Sequence, residues 1–190
     1  MFLKRQDPYM LIVGMAGVKL GDELLQVGCA HGGRLAALAG KVGLSGRAVA
    51  VVPDDASAER ARKGAAAAGV LVDVEVAPPT RLPQTSDTVD LAIVDDTADG
   101  VIGSGPREQR IAAIRELHRV LRPGGRAMIV GSVPLTGVSA LFARAPRGPD
   151  FARSGDAAQA LQAEGFRSVR TLAEREGLIF VEAIKPRQAE

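Results

Sequence analysis

The run Leu24-Leu25-Gln26-Val27 stops at Gly28-Cys29-Ala30-His31-Gly32-Gly33, and a helical pattern, Arg34-Leu35-Ala36-Ala37-Leu38-Ala39, begins at once. A buried strand that feeds a glycine-rich turn and then a helix N-terminus constrains the fold more than any other feature here. Glycines let another group approach the backbone closely, and the first helical turn leaves its N–H groups unpaired. Such a turn makes a cradle for a polar ligand, although glycine also serves ordinary tight turns. Here it is the first strand-to-helix connection of an alternating α/β chain, where nucleotide-like ligands bind.

The rest of the chain continues that alternation. Arg47 to Val52 is an apolar run bounded by Gly46 and Pro53, as a buried parallel strand would be. Asp54 or Asp55 caps a second helix through Ala56 to Ala68, which stops at Gly69. Leu71 to Val76 alternates like a strand with one wetter face, and Val89 to Val94 is a fourth strand that ends at Asp95-Asp96. Pro106 suits the first turn of a helix that runs to Leu121, with Ile111, Ile114, Leu117, His118 and Leu121 on one stripe. Arg122-Pro123-Gly124-Gly125 then turns into a fifth strand, Arg126 to Val130, and a loop spans Gly131 to Arg153. A helix over Asp156 to Glu164 precedes two runs, Phe166 to Leu172 and Leu178 to Ile184, whose short connection predicts an antiparallel hairpin. The expectation is one α/β domain over 1–190, with an N-terminal segment (1–20) and a core (21–185). Its sheet is mostly parallel, with helices on both faces.

Composition narrows the class. The core must come from aliphatic residues, because the chain has no Trp, one Tyr and five Phe. A net charge of +2 gives no reason to expect a nucleic-acid partner, and a single cysteine excludes an internal disulfide. Two histidines, His31 and His118, form no metal site. No apolar run has the length of a membrane span, and Met1 to Asp7 does not read as a secretory signal, so the expected location is the cytoplasm.

The segment Ile114-Arg115-Glu116-Leu117-His118-Arg119-Val120-Leu121-Arg122-Pro123-Gly124-Gly125-Arg126 resembles the helix-turn-strand signature of the class I S-adenosylmethionine (SAM) dependent methyltransferases. Gly17 to Asp22 is similar to that family's lead-in, Val89 to Val94 to its fourth strand, and Gly165-Phe166 with the final hairpin to its last two strands. The resemblance covers about Leu20 to Ile184 and points to the small-molecule branch that includes quinone-biosynthesis enzymes. It implies a Rossmann-like, doubly wound seven-stranded sheet of order 3-2-1-4-5-7-6 with strand seven antiparallel, and SAM as cofactor.

On that resemblance the cofactor-binding positions are Gln26, Gly28, Cys29, Ala30, His31, Gly32, Val52, Pro53, Pro78 and Asp95. Several depart from the family's pattern. Gln26 stands where an acid is usual and Ala30 where a third glycine is. Val52 replaces the acid that accepts the ribose hydroxyls, and Pro78 the acid that faces the adenine amino group. A hydrogen bond to a charged acceptor is worth roughly 1.5–3 kcal/mol. Loss of the ribose clamp alone therefore weakens SAM binding by roughly one to two orders of magnitude. Asp54 and Asp55 lie just beyond and either reach the ribose or only cap the helix. A bulky residue at Gly32 is expected to abolish binding and leave the fold intact.

Asp95 and Asp96 are the catalytic candidates, because a carboxylate pair at a strand end can hold one raised pKa and act as a base; the alternative is the start of a loop. Tyr9 either closes over the cofactor or anchors the N-terminal segment. Arg144, Arg147 and Arg153 meet an anionic partner or are solvated surface. Three readings follow. The first is a methyltransferase acting on a small or lipid-like acceptor. The second is a non-catalytic methyltransferase-fold subunit with weak or lost SAM binding, whose open cleft a partner protein covers; a homo-oligomer fits either. The third is an NAD-type binder, against which the edge hairpin argues.

Overall fold

The computed structural model describes residues 9–98, 100–134 and 150–187. In chain order the elements are α1 (Met10–Ala16), β1 (Glu23–Val27), α2 (Gly32–Val42), β2 (Arg47–Val52), α3 (Asp55–Ala68), β3 (Asp73–Val76), β4 (Val89–Asp95), α4 (Arg107–Val120), β5 (Leu121–Ser132), α5 (Asp156–Ala163), β6 (Arg167–Arg175) and β7 (Leu178–Ile184). The seven strands form one sheet of order β3-β2-β1-β4-β5-β7-β6. β1 to β5 pair in parallel, and β7 runs antiparallel to both β5 and β6. This is the sheet that the resemblance implies.

Strand alternation sends neighbouring side chains to opposite faces, and each face has its own helices. Leu25, Val27, Val51, Val94 and Ile129 share a buried cluster with Ile114 and Leu117 of α4 and Leu161 of α5. On the other face Leu24, Ile93 and Met128 meet Ile12 of α1 and Leu38 and Val42 of α2. Beside them Ala50 and Val52 pack on Leu35 of α2 and on Ala58 and Ala61 of α3.

The main departures from the expected element boundaries are at four places. β3 begins at Asp73 rather than Leu71, because Gly69 ends α3 in a left-handed conformation and Leu71 is left exposed. Pro106 caps α4 in an extended conformation and stands before its first turn. β5 starts at Leu121, with Arg122 to Gly125 bulging out opposite Asp90, since the register passes from Val89–Leu121 to Leu91–Arg126. β6 extends to Arg175, and the hairpin turn contracts to Glu176-Gly177. Arg144 and Arg147 lie outside the described residues, and Arg153 pairs with Asp150 on the surface.

The signature between Ile114 and Arg126 is accounted for by packing. Ile114, Leu117, Val120 and Leu121 are fully buried. Glu116 accepts from the Leu82 N–H at 2.8 Å, while Arg119 donates to the Leu82 and Gln84 carbonyls at 2.9 Å each. Together they pin the loop after β3 onto α4. His118 stacks edge-on against Phe166, a structural contact. Among the described residues no helix is long and apolar enough to cross a membrane.

Candidate active site

The C-terminal ends of β1, β2 and β4 open onto a cleft of about 380 Å³ whose walls include Gly28, Asp54, Ser57, Arg60, Asp95 and Thr97. That volume falls in the range of small-molecule sites. A larger cavity of about 550 Å³ lies between α4 and α5 and contains none of the strand-end residues. Position in the fold, rather than size, selects the cleft.

The turn after β1 is built tightly. Gly28 has φ +82, and a Cβ there would come within 2.9 Å of the Asp95 carbonyl and of Val101. Its N–H donates to the Val51 carbonyl at 2.8 Å, and its carbonyl accepts from Gln26 Nε2 at 2.9 Å. Gln26 is thus buried beneath the turn, and its Oε1 has no partner. The Ala30 N–H donates to Asp95 Oδ2 at 3.0 Å. Thr97 Oγ1 donates to Asp95 Oδ1 at 2.5 Å and accepts from Arg34 Nη1 at 2.9 Å, with Arg34 Nη1 also 3.5 Å from Asp95 Oδ1. On the far wall Arg60 donates to the Cys29 carbonyl and to Ser57 Oγ, at 2.8 and 3.0 Å. Asp54 caps α3 by accepting from the Ser57 N–H at 2.7 Å, a bond that holds its carboxyl below the usual carboxylate range.

The structure brings Gly28, Cys29, Ala30, Pro53 and Asp95 of the sequence-derived set to the cleft, and Asp54 with them. It sends others elsewhere. Strand alternation turns Val52 into the α2/α3 core, fully buried. Pro78 lines a separate cavity of about 230 Å³, and Val101 borders both cavities. Gly32 faces α3: a Cβ there would lie 2.4 Å from the Arg60 carbonyl and 2.9 Å from Gly64 Cα. Its small size serves helix packing, which overturns the expectation that a bulky residue at Gly32 would leave the fold intact. Gly33 faces Tyr9, whose hydroxyl stands 2.3 Å from a Cβ built there, so Tyr9 covers the first turn of α2. His31 is the α2 N-cap, and partial desolvation, then Arg34, lowers its pKa. Burial, then the Asp95 charge, pushes the Cys29 thiol up to about 11, so it is an inert thiol at neutral pH.

Asp95 and Asp96 do different things. Asp96 Oδ1 accepts from the N–H groups of Ile102 and Gly103 at 2.8 and 2.9 Å, which ties down the loop after β4, and its Oδ2 is buried without a partner. Burial raises its pKa. A carboxyl whose folded pKa exceeds its unfolded value contributes stability that is full below about pH 4 and is lost as pH rises through the folded pKa. Asp96→Asn keeps an acceptor for both N–H groups and removes the buried charge. Its urea midpoint at pH 7 is expected to equal or exceed that of the unsubstituted chain. Its stability should also change less between pH 4 and pH 7, as chemical denaturation at several pH values would show.

What sequence reading missed is Arg60 and Arg34. Helical spacing was the available signal for Arg60: Ser57 and Arg60 share a helix face three residues apart, just past the Asp54 cap. Nothing local announced that Arg34 would reach the end of β4.

A family model described as a methyltransferase domain matches residues 24–125, just over half of the chain. No curated protein matches the chain. Among solved structures, a SAM-dependent methyltransferase from Aquifex aeolicus is 21% identical, with a TM-score of 0.69 over 94% of this chain and 93% of its own. A SAM-dependent O-methyltransferase from Thermotoga maritima is 18% identical, with a TM-score of 0.65 over 95% of this chain and 65% of its own. A methyltransferase from Haloferax volcanii, solved in complex with the Trm112 methyltransferase activator, is 15% identical, with a TM-score of 0.64 over 94% of this chain and 88% of its own. The matched span runs from β1 through the helix-turn-strand signature, and the sheet beyond it completes the order 3-2-1-4-5-7-6, so the chain belongs to the methyltransferase-domain family within the class I SAM-dependent superfamily.

Proposed function

We propose that the chain binds SAM in the cleft at the ends of β1, β2 and β4 and transfers its methyl group to a small or lipid-like acceptor. The observation that carries this reading is a cleft of adequate volume built on the glycine turn inside the family-matched span. The residues fit the group. Asp54 supplies a carboxylate two residues beyond the buried Val52, so ribose recognition passes to it and to Ser57. Pro53 and Val101 supply apolar wall, and Asp95 a carboxylate at the floor. The cofactor brings the reactive methyl on a sulfonium. The chain's part is to align the acceptor and exclude water.

The second reading, a non-catalytic subunit, is favoured by one observation: the Gly28 and Cys29 carbonyls and the Ala30 N–H already have partners within the chain. The complex of the Haloferax protein with a methyltransferase activator is an example of a partner bound to this fold, which either reading accommodates. Isothermal titration of the full chain with SAM separates the two. Sub-millimolar affinity is expected, and no heat at millimolar SAM would overturn the enzymatic reading. Asp54→Ser keeps the helix cap and removes the carboxylate. It should weaken SAM binding about tenfold, the loss of roughly 1.5 kcal/mol for a charged hydrogen bond.

A further inference from the structure

The cavity of about 550 Å³ between α4 and α5 shares no lining residue with the cleft at the strand ends. Its volume too falls in the range of small-molecule sites. Its apolar lining is Ile111 of α4, Ala160 and Ala163 of α5, and the buried ring of Phe151. Its cationic lining is Arg107 and Arg110, three residues apart and so on one face of α4. Arg110 is half-buried and held from two sides. Its Nε donates to the Gly105 carbonyl at 2.7 Å, and its guanidinium carbon stands 5.2 Å from the centroid of the Phe151 ring. That grip orients the guanidinium and leaves both Nη groups without a hydrogen-bond or ion-pair partner among the described residues, and Arg107 has none there either. Two such cations repel each other, and the positive end of α4 adds to the cost. The neighbouring acids do not neutralise them. Glu164 is taken up by Arg115 at 2.7 Å, and Asp96, which feels the charge of Arg110, accepts from the Ile102 and Gly103 N–H groups instead. Asp156 lies in the first turn of α5, where the helix itself favours a carboxylate, and it pairs with neither arginine. The cavity is left with an excess of positive charge beside an apolar wall.

We infer that this cavity is a binding site for an organic anion, a carboxylate carried on an apolar body. The Nη edge of Arg110 receives the carboxylate, since a planar guanidinium fork matches two oxygens at once, and Arg107 adds a second charge. The apolar body lies along Ile111, Ala160 and Ala163. An anion in this place offsets the repulsion between the two arginines, which a neutral ligand of the same shape does not. The site stands apart from the SAM reading and holds whether or not the other cleft binds a cofactor.

Two probes of nearly equal shape, 2-naphthoate and the neutral 2-naphthamide, provide the test by titration calorimetry of the full chain. 2-Naphthoate should bind at or below about 1 mM and about tenfold more tightly than the amide, the gain of a charge-assisted fork over a neutral bond. In Arg110→Met that preference should vanish while the affinity for the amide stays within about twofold, which also certifies that the cavity keeps its shape. Arg110→Lys should restore part of the preference. Ala163→Phe brings a ring into the cavity from an exposed position, so both probes should be lost without a fall in melting temperature. Absence of 2-naphthoate binding, or equal affinity for acid and amide, would overturn the assignment. So would an undiminished preference in Arg110→Met, or a parallel loss of both probes in it, which would be a structural effect. Binding that survives Ala163→Phe would place the anion elsewhere on the chain and overturn it as well.

Discussion

Gly32→Ala is expected to destabilise the chain by about 3 kcal/mol or more, at the upper end of what overpacking costs. For a chain of this size that lowers the melting temperature by roughly 6–12 °C. An alanine at the start of a helix normally helps. Here the added carbon would meet backbone on the facing helix, 2.4 Å from the Arg60 carbonyl and 2.9 Å from Gly64 Cα. The reverse is equally tight, because a Cβ on Gly64 would stand 2.3 Å from the Gly32 carbonyl carbon. Backbone cannot rotate away as a side-chain tip can, so α2 and α3 must separate, and with them Leu35, Ala58 and Ala61, which pack on Val52. Gly64→Ala should cost a similar amount. The double variant should cost less than the sum, because one separation relieves both contacts. Gly14→Ala, with open space around its Cβ in α1, is the control and should be neutral or stabilising. Differential scanning calorimetry reads all four. An unchanged melting temperature with lost SAM binding would instead place Gly32 at the ligand.

The sheet order was legible because its signals are local or carried by family resemblance. Glu23 to Val27, Arg47 to Val52 and Leu178 to Ile184 are apolar runs bounded by punctuation, and each is the strand observed. The site was legible only to the level of the turn. Gly28 belongs there for its φ of +82, but Gly32 and Gly33 owe their size to α3 and Tyr9, neighbours that no local pattern identifies. Adjacency in sequence also misled at Asp95-Asp96: strand alternation points the two carboxylates at different partners, Ala30 and Thr97 for one, the Ile102–Gly103 loop for the other. Polar contacts between elements, such as Arg34 with Asp95 or Arg60 with the Cys29 carbonyl, join residues about sixty and thirty positions apart and leave no trace in spacing.

Arg126→Met should cost about 3 kcal/mol, and the damage should be concentrated at α1. Arg126 closes the helix-turn-strand signature at the bulge of β5, and its guanidinium serves two elements at once. Nη2 donates to the Ala16 and Gly17 carbonyls at 2.8 and 3.0 Å, capping the C-terminus of α1, while Nη1 pairs with Glu182 of β7 at 3.1 Å. Glu182 is buried, and its other partner, Arg170 at 2.9 Å, is an exposed side chain on the edge strand. Removal of Arg126 thus leaves a buried carboxylate with one solvent-exposed partner and two helix-end carbonyls unbonded. Breaking a buried pair from one side costs roughly 3–5 kcal/mol, and the remaining Arg170 contact argues for the lower end. Since α1 is a seven-residue helix that cannot hold itself together without its contacts, hydrogen exchange of its amides should accelerate more than that of β5 or β7. The double variant Arg126→Met, Glu182→Leu removes the stranded charge and should regain most of the global stability but not the protection of α1. If instead α1 keeps its protection in the single variant, Ile12 and Ala16 hold the helix by burial alone, and the role of Arg126 is confined to neutralising Glu182.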